Sequence, residues 1–341
     1  MNDASAVTAT QARNIPQDGP LLFGCTLDGE GGCALLDWEV ARDWDGEIAG
    51  KPLWLHLDRV YGGLDDWLEE RLDLNEATAD LLLSNETRPR AFLEDDALIT
   101  VLRGINFNPG AEPEDMIAMQ IWCDGTRLIT LRRRPLQTPR DILAELLAGK
   151  GASTIGDLFT ALLEEMVAKM NRAIVDMNDH IDAMEALDED ERDTDAMLTR
   201  IADIRRNCLA LKRYMSPQHE ALVLIQKTPP AWLSEENLAD IRETGERLKR
   251  YLEDLDVSKE SALVLQDDLN NRAAAKMNQT MYMLSIVAAI FLPLGFITGL
   301  LGINVGGMPG VNSSYAFWIT VGMLVTLLGL QFWIFRKLKW L

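Results

Sequence analysis

The chain has 341 residues, 48% of them hydrophobic, and a formal charge of −20 from 33 basic and 53 acidic side chains. Nucleic-acid binding needs a basic face, so this balance argues against such a partner; the acidic surplus serves solubility or the long-range gathering of cations. Cys25, Cys33, Cys123 and Cys208 form no CxxC pair and have no histidine at ligand spacing. They read as reduced cytosolic thiols rather than a disulfide frame or zinc finger.

Residues 1–20 are polar, lack the apolar core of a signal peptide, and are expected to be disordered. Residues 21–150 read as a cytoplasmic α/β domain. Leu53 to Leu57 alternates like a strand, and Leu64 to Leu72 has helical spacing with Asp65 and Asp66 in its first turn. Ala77 to Ser84 reads as a short helix. Strands are expected at Ala97 to Leu102, Met116 to Trp122 and Arg127 to Leu131, the last after the hairpin signal Asp124-Gly125. No Gly-rich phosphate loop follows a strand, so no nucleotide site is expected.

Residues 151–234 read as a helical hairpin. Asp141 to Leu147 forms a short helix before it. Ser153 or Thr154 then caps a long helix with apolar residues at Leu158, Leu162, Met166, Met170, Ile174 and Met177. Its turn is the acidic run Glu185 to Asp195, a solvated tip or a weak divalent-ion site. A second helix returns from Thr194 to Lys227 and is broken by Pro229-Pro230. Ser234 caps the next helix, with Asn237 where a capping box normally has Glu. That helix is expected to run from 235 to 301, about 100 Å at 1.5 Å per residue, as a stalk continuing into a membrane span. Leu248, Leu252, Leu255, Ala262, Leu269 and Ala273 mark an apolar seam, interrupted at Lys259 and Gln266, that needs neighbouring helices, most simply copies of itself.

From Lys276 to Arg336 there are 59 consecutive residues without a charge or a histidine. They contain two runs, 281–301 and 317–335, each close to the roughly 20 residues that cross a bilayer. The link, 302–316, has no basic residue, whereas Arg272 and Lys276 precede the first span, and the tail 336–341 carries Arg336, Lys337 and Lys339. Both ends are therefore expected in the cytoplasm, with the link periplasmic. Two helices cannot enclose water, so a pore needs several chains. Met281, Leu284, Ala288, Leu292, Gly295 and Gly299 recur at steps of three and four on one face of the first span, the candidate pore lining. Gly295 and Gly299 also form a GxxxG pair, which favours close helix packing. Pro293 frees the carbonyl of Ala289, which a wet lumen could satisfy. No carboxylate, His or Cys lies in either span. A partly hydrated divalent ion would meet amides and carbonyls, and a ring of Asn304 is the obvious ligand.

Leu292-Pro293-Leu294 in the first span, Gly302-Ile303-Asn304, Met308-Pro309 and the tail Lys339-Trp340-Leu341 resemble the CorA superfamily of divalent-cation transporters. Ile303 stands where that superfamily typically has Met, and Gly-Ile-Asn before Val305-Gly306-Gly307 is similar to the ZntB zinc-transporter branch. The resemblance implies an α+β cytoplasmic domain, a long stalk helix and two transmembrane helices per chain in a funnel-shaped homopentamer of the bacterial inner membrane. It implies Gly302, Ile303 and Asn304 as the entry filter, a pore lined by the first span, and Asp267, with Asp268 beside it, at the inner mouth. The partners are then the chain itself, the lipid bilayer and divalent ions. The cargo would be zinc, with magnesium, cobalt, nickel and cadmium as alternatives, and there would be no cofactor and no enzymatic reaction. Gly310 replaces the acidic residue that magnesium-type members commonly carry after Met-Pro, which removes a negative collar. The competing readings are a magnesium, cobalt or nickel channel and a non-conducting membrane scaffold or sensor.

Overall fold

The computed structural model describes residues 19–42, 50–72, 74–187, 193–303, 310 and 313–338. Of the start expected to be disordered (1–20), residues 1–18 lie outside these, as do the middle of the acidic turn (188–192), most of the link (304–309, 311 and 312) and the last residues (339–341); Pro20 is ordered, its carbonyl accepting from Asp58 N at 2.7 Å. The chain divides into two compact units, with the boundary between Leu265 and Gln266.

The first unit is built on a seven-stranded sheet: β1 (Leu21–Leu27), β2 (Cys33–Leu36), β3 (Leu53–Asp58), β4 (Arg90–Glu94), β5 (Ala97–Gly104), β6 (Ile117–Cys123) and β7 (Arg127–Arg132), in the order β2-β1-β3-β7-β6-β5-β4. Among the described strands only β3 and β7 pair in parallel, with Leu53 opposite Arg127 and Asp58 opposite Arg132. Leu53, Leu55 and Leu57 project to one face. With Ile129, Leu131, Ile99 and Trp122 they pack against α1 (Trp38–Arg42), α2 (Leu64–Leu72) and α3 (Glu76–Leu83) through Ala41, Leu64, Leu68, Leu72, Ala79 and Leu82. Each fully buried leucine in this layer contributes about 1.5–3 kcal/mol.

The alternate β3 residues, Trp54 and His56, lie on the other face, where one hydroxyl organises them. Thr130 Oγ1 donates to the Leu55 carbonyl at 3.1 Å and accepts from Trp54 Nε1 at 3.0 Å. Its proton being committed, the 2.9 Å contact with His56 Nδ1 makes that nitrogen the donor, and His56 Nε2 accepts from Arg132 Nε at 3.2 Å. Burial, then the charges of Arg132 and Arg140, holds His56 well below the usual imidazole range, in agreement with this neutral tautomer. His56 also stacks on Phe23, with centroids 4.8 Å apart, so its role is structural.

Helix α4 (Gln137–Leu147) begins four residues before the expected Asp141. Pro139 stands at its third position, within the first turn, where a missing N–H costs no helical bond. Helices α5 (Ile155–Glu185), α6 (Thr194–Lys227) and α7 (Glu235–Leu301) follow, with α5 and α6 against the sheet. Helix α6 runs through Pro217, held by the buried Leu211, Met215, Ala221 and Leu222 around it.

Two capping boxes are tied together. At the start of α5, Thr154 Oγ1 accepts from Asp157 N and Asp157 Oδ2 accepts from Thr154 N, both at 3.1 Å. At the start of α7, Ser234 Oγ accepts from Asn237 N at 3.1 Å and Asn237 Oδ1 accepts from Ser234 N at 3.2 Å. Asn237 Nδ2 then donates to Asp157 Oδ1 at 2.9 Å. A Glu at 237 would set carboxylate against carboxylate, which explains the amide. The preceding turn docks on the sheet: Trp232 Nε1 donates to Asp96 O at 3.0 Å and Ala231 N to Asp96 Oδ1 at 3.0 Å.

Along α7 the apolar seam finds neighbours in its own chain. Leu248, Leu255 and Ala262 are buried, Leu252 is half-buried and Ala273 is exposed. Ser258 Oγ meets Asn178 Oδ1 of α5 at 2.6 Å, and Lys212 of α6 pairs with Asp256 at 2.6 Å. The expectation that other copies cover this stretch is thus corrected: the hairpin α5–α6 does. The face left open carries Val257 and Val264, 64% and 62% exposed and seven residues apart.

Candidate ion-conduction site

The second unit holds the remainder of α7 and α8 (Ala316–Lys337), and both helices are long and apolar enough to cross a membrane. The serine and threonine hydroxyls of both spans are satisfied within their own helices. Ser285 Oγ donates to Met281 O at 2.8 Å, Thr298 Oγ1 to Leu294 O at 3.0 Å and Thr326 Oγ1 to Gly322 O at 2.8 Å. These three protons are thus kept from the lipid, as the bilayer interior demands.

The two faces of the first span are used differently. Ile286, Ala289, Ile290, Pro293 and Ile297 are half-buried and mark the face turned to α8. All six proposed lining residues are exposed, Met281 by 60%, Leu284 by 69% and Leu292 by 72%. At about 100° per residue, Leu284, Ala288, Gly295 and Gly299 centre nearly opposite Ile286 and Ile290. A Cβ built on Gly295 or Gly299 meets no atom within 4 Å. The candidate lining is therefore the face that α8 leaves uncovered.

Pro293 has no N–H for the carbonyl of Ala289, four residues back. That carbonyl accepts instead from Gln331 Nε2 of α8, at 3.3 Å. A side chain on the second span thus takes the role that a wet lumen could have filled. Gln331 Oε1 is buried without a hydrogen-bond partner. Sequence reasoning passed over Gln331, though a lone amide in an apolar run, with a proline in the partner span, was the available signal.

At the outer end, Gly302 N donates to Gly299 O at 3.2 Å, tightening the last turn of α7, and Ile303 is exposed. Asn304 lies outside the described residues. Toward the other end of the unit, Asp267 is exposed and stands two heptads before Met281, in step with Ala288 and Gly295. Asp268 pairs with Arg272 Nε of its own helix at 2.8 Å. Of the two carboxylates, Asp267 is the one in register with the candidate lining.

The profile of the family described as CorA-like Mg2+ transporter protein matches residues 49–337. The chain belongs to this family. It is a divalent-cation transporter of the CorA superfamily, whose members are transporters rather than enzymes. The "Divalent cation transporter CmaX" of Pseudomonas aeruginosa is 36% identical over 332 residues, covering 97% of this chain and all of the relative. The "Zinc transport protein ZntB" of Yersinia enterocolitica is 30% identical over 321 residues, covering 94% of this chain and 96% of the relative. The full-length CmaX structure superimposes with a TM-score of 0.82 over 96% of this chain and 100% of that one. The CorA magnesium transporter of Methanocaldococcus jannaschii, 18% identical, shares the fold with a TM-score of 0.75 over 93% of this chain and 98% of that one.

Proposed function

We propose that this chain assembles as a homopentamer in the bacterial inner membrane, with both termini cytoplasmic, and carries zinc through a central path lined by the first span. The observation that carries the reading is the uncovered face of that span. Met281, Leu284, Ala288, Leu292, Gly295 and Gly299 face away from α8, so only other copies can close a lumen around them. The open Val257 and Val264 on α7 support contacts between copies outside the membrane as well.

The proposed filter is Gly302, Ile303 and Asn304, with Asp267 at the inner mouth. An Asn amide oxygen contacts an ion or its hydrating water and carries no charge. A ring of such oxygens replaces part of the hydration shell without trapping the ion, which conduction requires. Zinc is supported by the Gly-Ile-Asn sequence and by likeness to the ZntB proteins. A broader divalent-cation range is the second reading, favoured by the higher identity to CmaX.

Native mass spectrometry in mild detergent tests assembly, with five copies expected; a monomer alone would count against a pore. Uptake of zinc, magnesium and cobalt into liposomes holding only this protein tests the cargo. Zinc flux that vanishes in assembled Asn304→Ala protein is expected. Wild-type flux in that variant would return Asn304 to the role of a helix terminator.

A further inference from the structure

Beyond the carboxyl ends of the parallel pair β3 and β7 lies a cavity of about 460 Å3, bordered by Arg59, Arg103, Arg133, Arg134 and Tyr214, with Glu114 and Asp115 at the same wall. In open α/β sheets this end of parallel strands is where ligands are held, and the volume falls within the range of small-molecule pockets. The charge is unusual for this protein. Four guanidiniums meet two carboxylates in a chain whose net charge is −20. Among the described residues none of the four forms an ion pair.

The two inner arginines are held in place by neutral groups. Arg103 donates through Nε to Thr87 O at 3.0 Å, through its other nitrogens to Met116 O and Thr87 Oγ1, and lies 4.2 Å from the centroid of the Tyr214 ring. Arg59 donates to Ser84 O, and Gln120, oriented by its donation to Leu131 O, accepts from Arg59 Nη1 at 2.6 Å. Burial, then the charges of Arg133 and Arg103, holds Arg59 below its ordinary value, as expected where like charges stand near one another. Arg133 and Arg134 are exposed at the rim. Two guanidiniums held within the wall and two exposed ones beside the same open volume place four positive, planar groups where the tetrahedral oxygens of a phosphoryl group can accept guanidinium bonds.

We infer that this cavity is an anion site for a small phosphorylated molecule, of up to nucleotide size, separate from the ion path. No Gly-rich loop is needed, because side chains rather than backbone amides supply the donors.

The test is isothermal titration of metal-free, full-length protein in detergent with inorganic pyrophosphate, with sodium sulfate and sodium chloride as controls. Saturable binding at one site per chain is expected, at least about tenfold tighter than chloride and weakened about tenfold or more by Arg103→Gln. The double variant Arg133→Gln/Arg134→Gln alters only exposed side chains. It should weaken binding several-fold and decides the matter if Arg103→Gln does not fold. The inference is overturned by no saturation up to about 1 mM. It is equally overturned by chloride binding as tightly as pyrophosphate, or by affinity unchanged in the double variant, as binding at the basic tail would give.

Discussion

The bond between Gln331 and the proline-freed carbonyl of Ala289 can be weighed by replacing both sides of it. Gln331→Leu removes the donor to Ala289 O and also removes Oε1, which is buried without a partner. Losing the donor leaves a carbonyl unsatisfied, at about 1–3 kcal/mol, and losing Oε1 relieves a cost of the same order. The single variant is therefore expected within about 1 kcal/mol of the parent. Pro293→Ala restores an N–H that bonds Ala289 O within the helix, so in that background Gln331→Leu should lose nothing at the carbonyl. The double-mutant cycle isolates the contact. Hydrogen bonds between helices in a bilayer average about 0.6 kcal/mol and reach about 1.7. At 3.3 Å this one lies at the long end, so the lower figure applies, about a threefold change in an equilibrium constant. Reversible unfolding in mixed micelles gives the four stabilities. Gln331→Leu having the same effect with Pro293 as with Ala at that position would refute the assignment.

Three further outcomes follow from the first unit. Asn237→Ala should destabilise the full chain by about 1–3 kcal/mol in chemical denaturation, more than the roughly 1 kcal/mol of Thr154→Ala, because Asn237 caps its own helix and binds Asp157 of another; equal costs would show the cross-link to be idle. Burial raises the Asp157 carboxyl, but hydrogen bonds from Asn237 and Thr154 outweigh it and hold the group below its ordinary value of 3.8. Its contribution is then fully present above that value and is lost as pH falls through the lower, folded value. Asp157→Asn should flatten the acid limb of stability below about pH 4, read by circular dichroism, and an unchanged limb would contradict the linkage. Gly125→Ala should cost about 1–3 kcal/mol, since Gly125 has φ +88° and a Cβ there would stand 2.4 Å from Trp232 Cγ; a melting temperature equal to wild type would show that the turn yields freely.

Local pattern determined much of this molecule. Helix α6 spans Thr194–Lys227 and α7 Glu235–Leu301, as their apolar spacing and flanking caps predict, because a cap and a 3.6-residue period are properties of neighbouring residues. The two membrane-length helices are legible for the same reason, since an uncharged run needs no tertiary context to be apolar. Strands β1, β2 and β4 escaped because they lack alternation. Leu21–Leu27 is buried on nearly every side chain, and Arg90–Glu94 is short and half-exposed. Only the tertiary structure decided what meets what. The α7 seam shows that it needs a partner but not that α5 and α6 supply it. Gln331 and Ala289 lie 42 positions apart, and nothing in their spacing joins them. The arginines at 59, 103, 133 and 134 are scattered over separate strand ends, and only the order of the sheet brings their charges to one cavity.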